Sequence, residues 1–273
     1  MKKSIGLISV GMVLMGVSSA CLMVVDQYGP GGYPPVETFR RSDVFPSGGT
    51  LSLRNFDGNI EIAGWKDESL QVYAEKLIPL PDEFRIEFWN RDWKKHAPKI
   101  EYDTFDDYVK LNTRCPDPEG TDCVVDYVLS VPQSIKLRDI IARDGDVIIQ
   151  DLYGEAYVDL RSGQIVVDNF SGSLIASIQE GSVQATLYDL REGDEVRLTV
   201  RQGDILLNLE ADVQADLQAA APKGDISAEF SEISAEKNGR LTVRLGEGGA
   251  QISCTAWEGD VRIGKIKEEK KQR

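Results

Sequence analysis

A glycine opens a short, alternating apolar segment again and again in this chain, and that recurrence limits the possible folds more than composition does. The segments begin Gly145-Asp-Val-Ile-Ile, Gly163-Gln-Ile-Val-Val, Gly181-Ser-Val-Gln-Ala, Gly203-Asp-Ile-Leu-Leu, Gly224-Asp-Ile-Ser-Ala and Gly259-Asp-Val-Arg-Ile. The first steps are 18, 18, 22 and 21 residues, with half-steps at Gly154 and Gly172, so the unit is a strand and a turn every nine residues and two units make a coil. A period near 20 residues belongs to solenoids, because one coil cannot bury its apolar face alone and must stack on its neighbours. Glycine suits the corner because it reaches positive φ without a Cβ clash, and the adjacent Asp or Asn is expected to bond the turn backbone. Val147, Ile149, Ile165, Val167, Ile205 and Leu207 alternate with more polar positions and form the expected inward row. The pattern predicts an all-β fold, a β-solenoid with short turns. Strands spaced roughly 8 to 12 residues apart also describe a sandwich or an up-and-down barrel, but neither explains one Gly-Asp corner repeated at nearly fixed spacing.

The amino end has a different character. Lys2 and Lys3 precede an apolar run from Ile5 to Val17, then Ser18, Ser19 and Ala20 stand before Cys21. This is the layout of an export signal, and residues 1–20 read as a signal peptide. A Cys directly after small residues resembles the lipobox of bacterial prolipoproteins, in which that Cys becomes the lipidated first residue; Ser18 stands where such boxes usually have Leu. Ordinary cleavage after Ala20 is a second reading. An uncleaved helix over Ile5 to Val25 is a third, since about 20 apolar residues span a bilayer. All three place the body outside the cytoplasm. Residues 21–36, with Gly29, Pro30, Gly31, Gly32, Pro34 and Pro35, read as lipid attachment followed by an extended spacer. The solenoid then spans 37–264, and 265–273 is a charged tail.

The four cysteines fit an oxidising compartment: Cys115 and Cys123 bracket a turn-rich stretch and are expected to form a disulfide, while Cys254 lies in an apolar strand pattern and reads as a buried thiol. A net charge of −14 argues against nucleic acid, whose binding relies on Lys and Arg neutralising phosphates. It does not argue against a membrane contact made through a lipid anchor.

The run Leu53-Arg-Asn-Phe-Asp-Gly-Asn-Ile-Glu-Ile-Ala-Gly-Trp65, the strand Leu70 to Ala74, Val131-Pro132 and the Gly-Asp coils resemble, in that order, the putative-adhesin β-repeat family of bacterial envelope proteins. The resemblance covers about residues 37 to 264. It implies a right-handed β-helix-like fold, export and an adhesive or envelope role, and it brings no catalytic residues. The segment Pro79 to Asp126 departs from the repeat: it is charged and aromatic and contains the Cys pair, and it is expected to cap or flank the coils. Within it, Phe84 and Phe88 suit a short helix from Asp82 to Lys95, although Arg85 to Phe88 reads equally well as a strand.

Chemistry is sparse. His96 is the single histidine and stands among Lys94, Lys95 and Pro98, so no nucleophile has an evident base. Asp103, Asp106 and Asp107 are conceivable as an acid and base for polysaccharide cleavage, but read more simply as a solvated loop. Asp117, Glu119 and Asp122 crowd one loop as calcium ligands do, yet their spacing matches neither an EF-hand nor the glycine-rich nonapeptide repeat. The aromatics Trp89, Trp93, Tyr102 and Phe105 are the candidate binding residues, against the alternative that they pack beneath a cap. Trp65 and Trp257, beside corner glycines, are expected to be packing residues. The expected protein is a non-enzymatic envelope lipoprotein without metal or cofactor. It is held to the membrane through lipid on Cys21 and binds polysaccharide or an envelope protein. The alternatives are a sensor lipoprotein and a β-helical polysaccharide-active enzyme.

Overall fold

The computed structural model describes residues 35–77, 97–116, 123–231 and 239–266. Its elements are all strands: β1 (Pro35–Val44), β2 (Thr50–Arg54), β3 (Ile60–Trp65), β4 (Ser69–Leu77), β5 (Lys99–Phe105), β6 (Tyr108–Arg114), β7 (Val124–Pro132), β8 (Ser134–Leu187), β9 (Glu195–Gln202), β10 (Ile205–Leu209), β11 (Ala215–Ala220), β12 (Ile226–Ala228), β13 (Arg240–Leu245), β14 (Ala250–Glu258) and β15 (Val261–Lys265). The long β8 contains several strands and corners in continuous pairing, as the nine-residue pattern predicts. The chain is a β-solenoid, and the sandwich and barrel alternatives fall away.

Two parallel ladders face each other across one core. In the first, Ile60 lies between Tyr127 and Val147, Ile205 between Val183 and Val261, and Val261 between Ile205 and Ile226. In the second, Leu51 lies between Val109 and Leu137, and Val196 between Leu174 and Ile252, which in turn adjoins Leu217. Alternation sends every second side chain inward, so Ile60, Ile62, Val147, Ile149, Ile165, Val167, Leu174, Leu198, Ile205 and Leu207 are fully buried.

Spatial order is not chain order. The β14–β15 coil slides between the coil of β9 and β10 and that of β11 and β12. At the other end β2 and β3 lie between β6 or β7 and β8. Antiparallel strands then cover both ends of the second ladder and the amino end of the first: β4 on β7 and β1 on β4, β5 on β6, and β13 on β11. A strand running the opposite way cannot continue the coil, so each one stops the parallel stack. The described part of the Pro79–Asp126 segment therefore does cap the solenoid, and more: β6 is a full rung, with Val109 and Leu111 in the core. Lys265, placed in the polar tail from sequence, instead closes β15 opposite Leu209.

The corners hold the coils at close range. A Cβ placed on Gly163 would sit 1.9 Å from the Gly145 carbonyl oxygen, one on Gly181 1.8 Å from that of Gly163, one on Gly203 1.9 Å from that of Gly181, one on Gly259 2.1 Å from that of Gly203, and one on Gly224 2.1 Å from that of Gly259. At four corners the residue after the glycine, expected from sequence to bond its own turn, reaches across to another coil instead. Oδ1 of Asn59 accepts from the Asp146 backbone N–H at 2.9 Å, Asp146 from Gln164 at 2.9 Å, Asp204 from Asp260 at 2.8 Å and Asp260 from Asp225 at 3.0 Å. These four junctions each gain one bond, charge-assisted where the acceptor is Asp146, Asp204 or Asp260.

Gly181 and Gly193 separate backbone strain from stacking, because both have positive φ but nothing lies within 4 Å of a Cβ on Gly193. Gly193→Ala should cost about 1 kcal/mol, the strain of a left-handed residue. Gly181→Ala should cost about 4 kcal/mol or more, because two coils must part. Urea unfolding of both variants measures the difference, and equal costs would contradict the stacking account.

Candidate functional site

Of the residues singled out for binding, the structure describes Tyr102 and Phe105. Trp89 and Trp93 lie outside the described residues, as do the Asp82–Lys95 helix, the Asp117–Asp122 loop and Cys21. Tyr102 is half-buried and tied to β1: its hydroxyl donates to Asp43 at 2.7 Å, its ring packs on Phe39 at 6.2 Å between centroids, and Arg41 lies 5.3 Å over it. Burial, then the bond to Asp43, raises its pKa, and the same bond is the main cause that lowers that of Asp43. Phe105 is 62% exposed at the β5–β6 turn and stacks on Tyr108. Asp106 takes φ of 46° in that turn, the Asp107 carbonyl accepts from Thr50 N–H, and Asp103 stands opposite Lys110. All three carboxylates are exposed on a two-strand hairpin.

The cysteines are placed as their spacing suggests. Cys115 and Cys123 form a disulfide with Cα atoms 5.6 Å apart, closing β6 onto β7. Cys254 is a buried thiol whose pKa burial pushes up to about 12, which keeps it protonated and unreactive. Among the described residues no group of three or more His, Cys, Asp or Glu is placed to hold a metal ion.

The outward corner row is where accessible groups collect. The residues two before each corner glycine are Phe56, Arg143, Arg161, Gln179, Arg201, Pro222 and Trp257, and the acids or polar groups that follow form a second row. Near the amino end this row is closed by internal pairing. Arg143 donates to both carboxylate oxygens of Asp57, at 2.9 and 2.5 Å, while its guanidinium lies 5.4 Å over the Phe56 ring; Arg161 pairs with Asp144 at 2.6 Å. Burial raises the Asp57 pKa against the opposing pull of Arg143. Near the carboxyl end Trp257 lies opposite Arg201 in a shallow groove that also includes Ser177, Thr199, Pro222 and Lys223. Trp257 is 56% exposed, so the packing role expected for it does not hold. Its direction was readable by parity: Cys254 and Ala256 point inward, hence Thr255 and Trp257 point outward.

Residues 129–264 match the family model of Toastrack DUF4097. This stretch is a Toastrack domain. The Toastrack match runs from β7 to β15, and so includes the inserted coil and every stacked glycine named above. The motif from Leu53 to Trp65, which carried much of the resemblance, lies before it, yet β2 and β3 complete the same stack. Among solved structures, a putative cell adhesion protein from Clostridium sporogenes is similar with a TM-score of 0.52 at 12% identity, over 84% of this chain and 100% of that one. A putative adhesin from Bacteroides fragilis gives 0.33 at 14% identity, over 85% and 99%. No curated protein matches the chain.

Asp126 gives a test of the junction bonds. Its Oδ1 accepts from the Asn59 N–H at 2.7 Å, but burial, the largest cause, raises its pKa, and the nearby Glu75 adds to the rise. The folded state therefore holds this proton to higher pH than the unfolded chain does. The resulting stabilisation is complete below about 3.8 and is lost as pH rises through the folded-state value. Asp126→Asn keeps the acceptor and cannot ionise. It should be at least as stable as the parent at neutral pH, with the difference vanishing in acid; urea midpoints at both pH values check this, and a clear loss at neutral pH would contradict it.

Proposed function

We propose that the chain is a non-enzymatic binding or scaffold protein of the bacterial cell envelope, tethered through lipid on Cys21, with the solenoid held outside the cytoplasm by the Gly/Pro spacer. The observation that carries this reading is how the polar groups are used. Carboxylates such as Asp146, Asp204 and Asp260 hold coils together, while outward rows present side chains at the rung spacing along an open face. Rung-spaced side chains on a stiff support suit recognition of an extended partner, because the support loses little freedom on binding. The Cys115–Cys123 disulfide agrees with an oxidising compartment. The similar fold of the putative cell adhesion protein from Clostridium sporogenes supports the adhesive part of the reading.

Deleting Pro79 to Asp126 would remove β6 and its core residues, so it cannot probe binding cleanly. Fractionation of cells making the full chain or Cys21→Ser, followed by in-cell crosslinking and analysis of captured protein and glycan, tests both halves. The intact chain should label with fatty acid, stay with membranes and retain an envelope polysaccharide or protein, whereas Cys21→Ser should lose the label and the membrane. An unlabelled intact chain, or capture of nothing, contradicts the corresponding half.

A further inference from the structure

The Phe56 corner and the Trp257 corner are one arrangement built twice. Each has an aromatic residue two before the corner glycine, an acid directly after it, and an arginine opposite the aromatic on the adjacent coil: Phe56, Asp57 and Arg143 in one, Trp257, Glu258 and Arg201 in the other. The first is closed on itself, since Arg143 covers the ring and holds the carboxylate through two bonds. The second is open. Glu258 is already taken, by Lys223 at 2.5 Å and Gln202 at 3.1 Å, and these bonds lower its pKa. Arg201 makes no ion pair within 4 Å among the described residues, not even with Glu180 on the preceding coil, although Arg161 finds its partner Asp144 that way; its charge acts only at longer range, as the last of the causes that lower the Glu258 pKa. Among the described residues no cation covers the Trp257 ring as Arg143 covers that of Phe56, and Trp257 is 56% exposed.

We propose that this open corner is a saccharide subsite for a carboxylated pyranose, a uronic acid. The C–H face of the sugar ring stacks on the Trp257 indole, and its carboxylate takes from Arg201 the two bonds that Asp57 takes from Arg143. Indole offers a flat apolar face with a negative π-surface that suits polarised C–H groups, and guanidinium matches a carboxylate bidentately. Gln179 and Thr199, lining the same groove, supply hydrogen-bonding groups for ring hydroxyls. The overall charge of −14 does not forbid an acidic ligand: charges beyond about 8 Å are largely screened at physiological salt, and the nearest acid is neutralised by Lys223. The proposal rests on the envelope-binding reading and adds to it the site and the ligand class.

The test titrates the full-length chain with an oligogalacturonide and with a neutral galactose oligomer of equal length, following the indole N–H resonance of Trp257. The acidic oligomer should bind about ten-fold more tightly, the contribution expected of one bidentate pair. Arg201→Gln should remove that preference while leaving weak binding of both, and Trp257→Ala should abolish both. Neither side chain is in the core, so an unchanged Tm verifies that the variants fold. Equal affinity for the two oligomers, or a preference that survives Arg201→Gln, overturns the proposal. Saccharide binding that survives both substitutions overturns it too, but leaves the envelope-binding reading standing. Absence of saccharide binding also overturns it, and the capture experiment then decides the wider reading separately.

Discussion

The architecture depends on how closely one coil's backbone can approach the next at the glycine corner. With would-be Cβ positions 1.8 to 2.1 Å from a neighbouring carbonyl oxygen at Gly163, Gly181, Gly203, Gly259 and Gly224, a side chain at any of them would hold the rungs apart. Everything else relies on that spacing. The inward rows touch across the core, the cross-coil bonds of Asp146, Asp204 and Asp260 reach their N–H donors, and the outward rows align. Because each rung is stabilised mainly by its neighbours, the stack behaves as a nearly one-dimensional system in which end rungs are the weak ones. The chain answers this by placing β2–β3 and β14–β15 one rung in from the ends and closing three of the four ladder ends with antiparallel strands.

The same interleaving creates the carboxyl-end groove. Arg201 and Trp257 are 56 residues apart in sequence, yet they stand opposite each other only because β14 inserts between β9 and β11. Stability and binding geometry thus have a common origin. The amino-end corner shows what the arrangement does when internally satisfied: Arg143 spends its donors on Asp57 and its face on Phe56.

Much of the fold was legible because strand parity and the glycine period are local. Val147, Ile149, Ile165, Val167, Ile205 and Leu207 are buried as the alternation requires, and Gly154 and Gly172 stack as half-steps. The Cys115–Cys123 pairing was equally local. What the repeat could not convey was order, since equal spacing of glycines is consistent with a simple succession of coils and says nothing of insertion. The exposure of Trp257 runs against the packing role expected of it, and the partners of Tyr102 lie beyond the reach of local pattern. Tyr102 is covered by Phe39, Arg41 and Asp43 from β1, a strand far away in sequence. For Trp257 the parity of Cys254 and Ala256 is a better guide than the neighbouring glycine.

The claim on which both fold and groove rest is that the β14–β15 coil lies between its neighbours. Thr255 adjoins Thr199 on one side and Ala220 on the other, which leaves Thr199 and Ala220 two rungs apart, about 9.6 Å at the spacing of paired strands. Paired cysteines at 199 and 255, and in a second chain at 199 and 220, report this directly under mild oxidation in a Cys254→Ser background. The account predicts efficient crosslinking of 199 with 255 and none of 199 with 220. Crosslinking of 199 with 220 in the monomer, with 255 left free, would show coils stacked in chain order and would remove both the interleaved fold and the groove built on it.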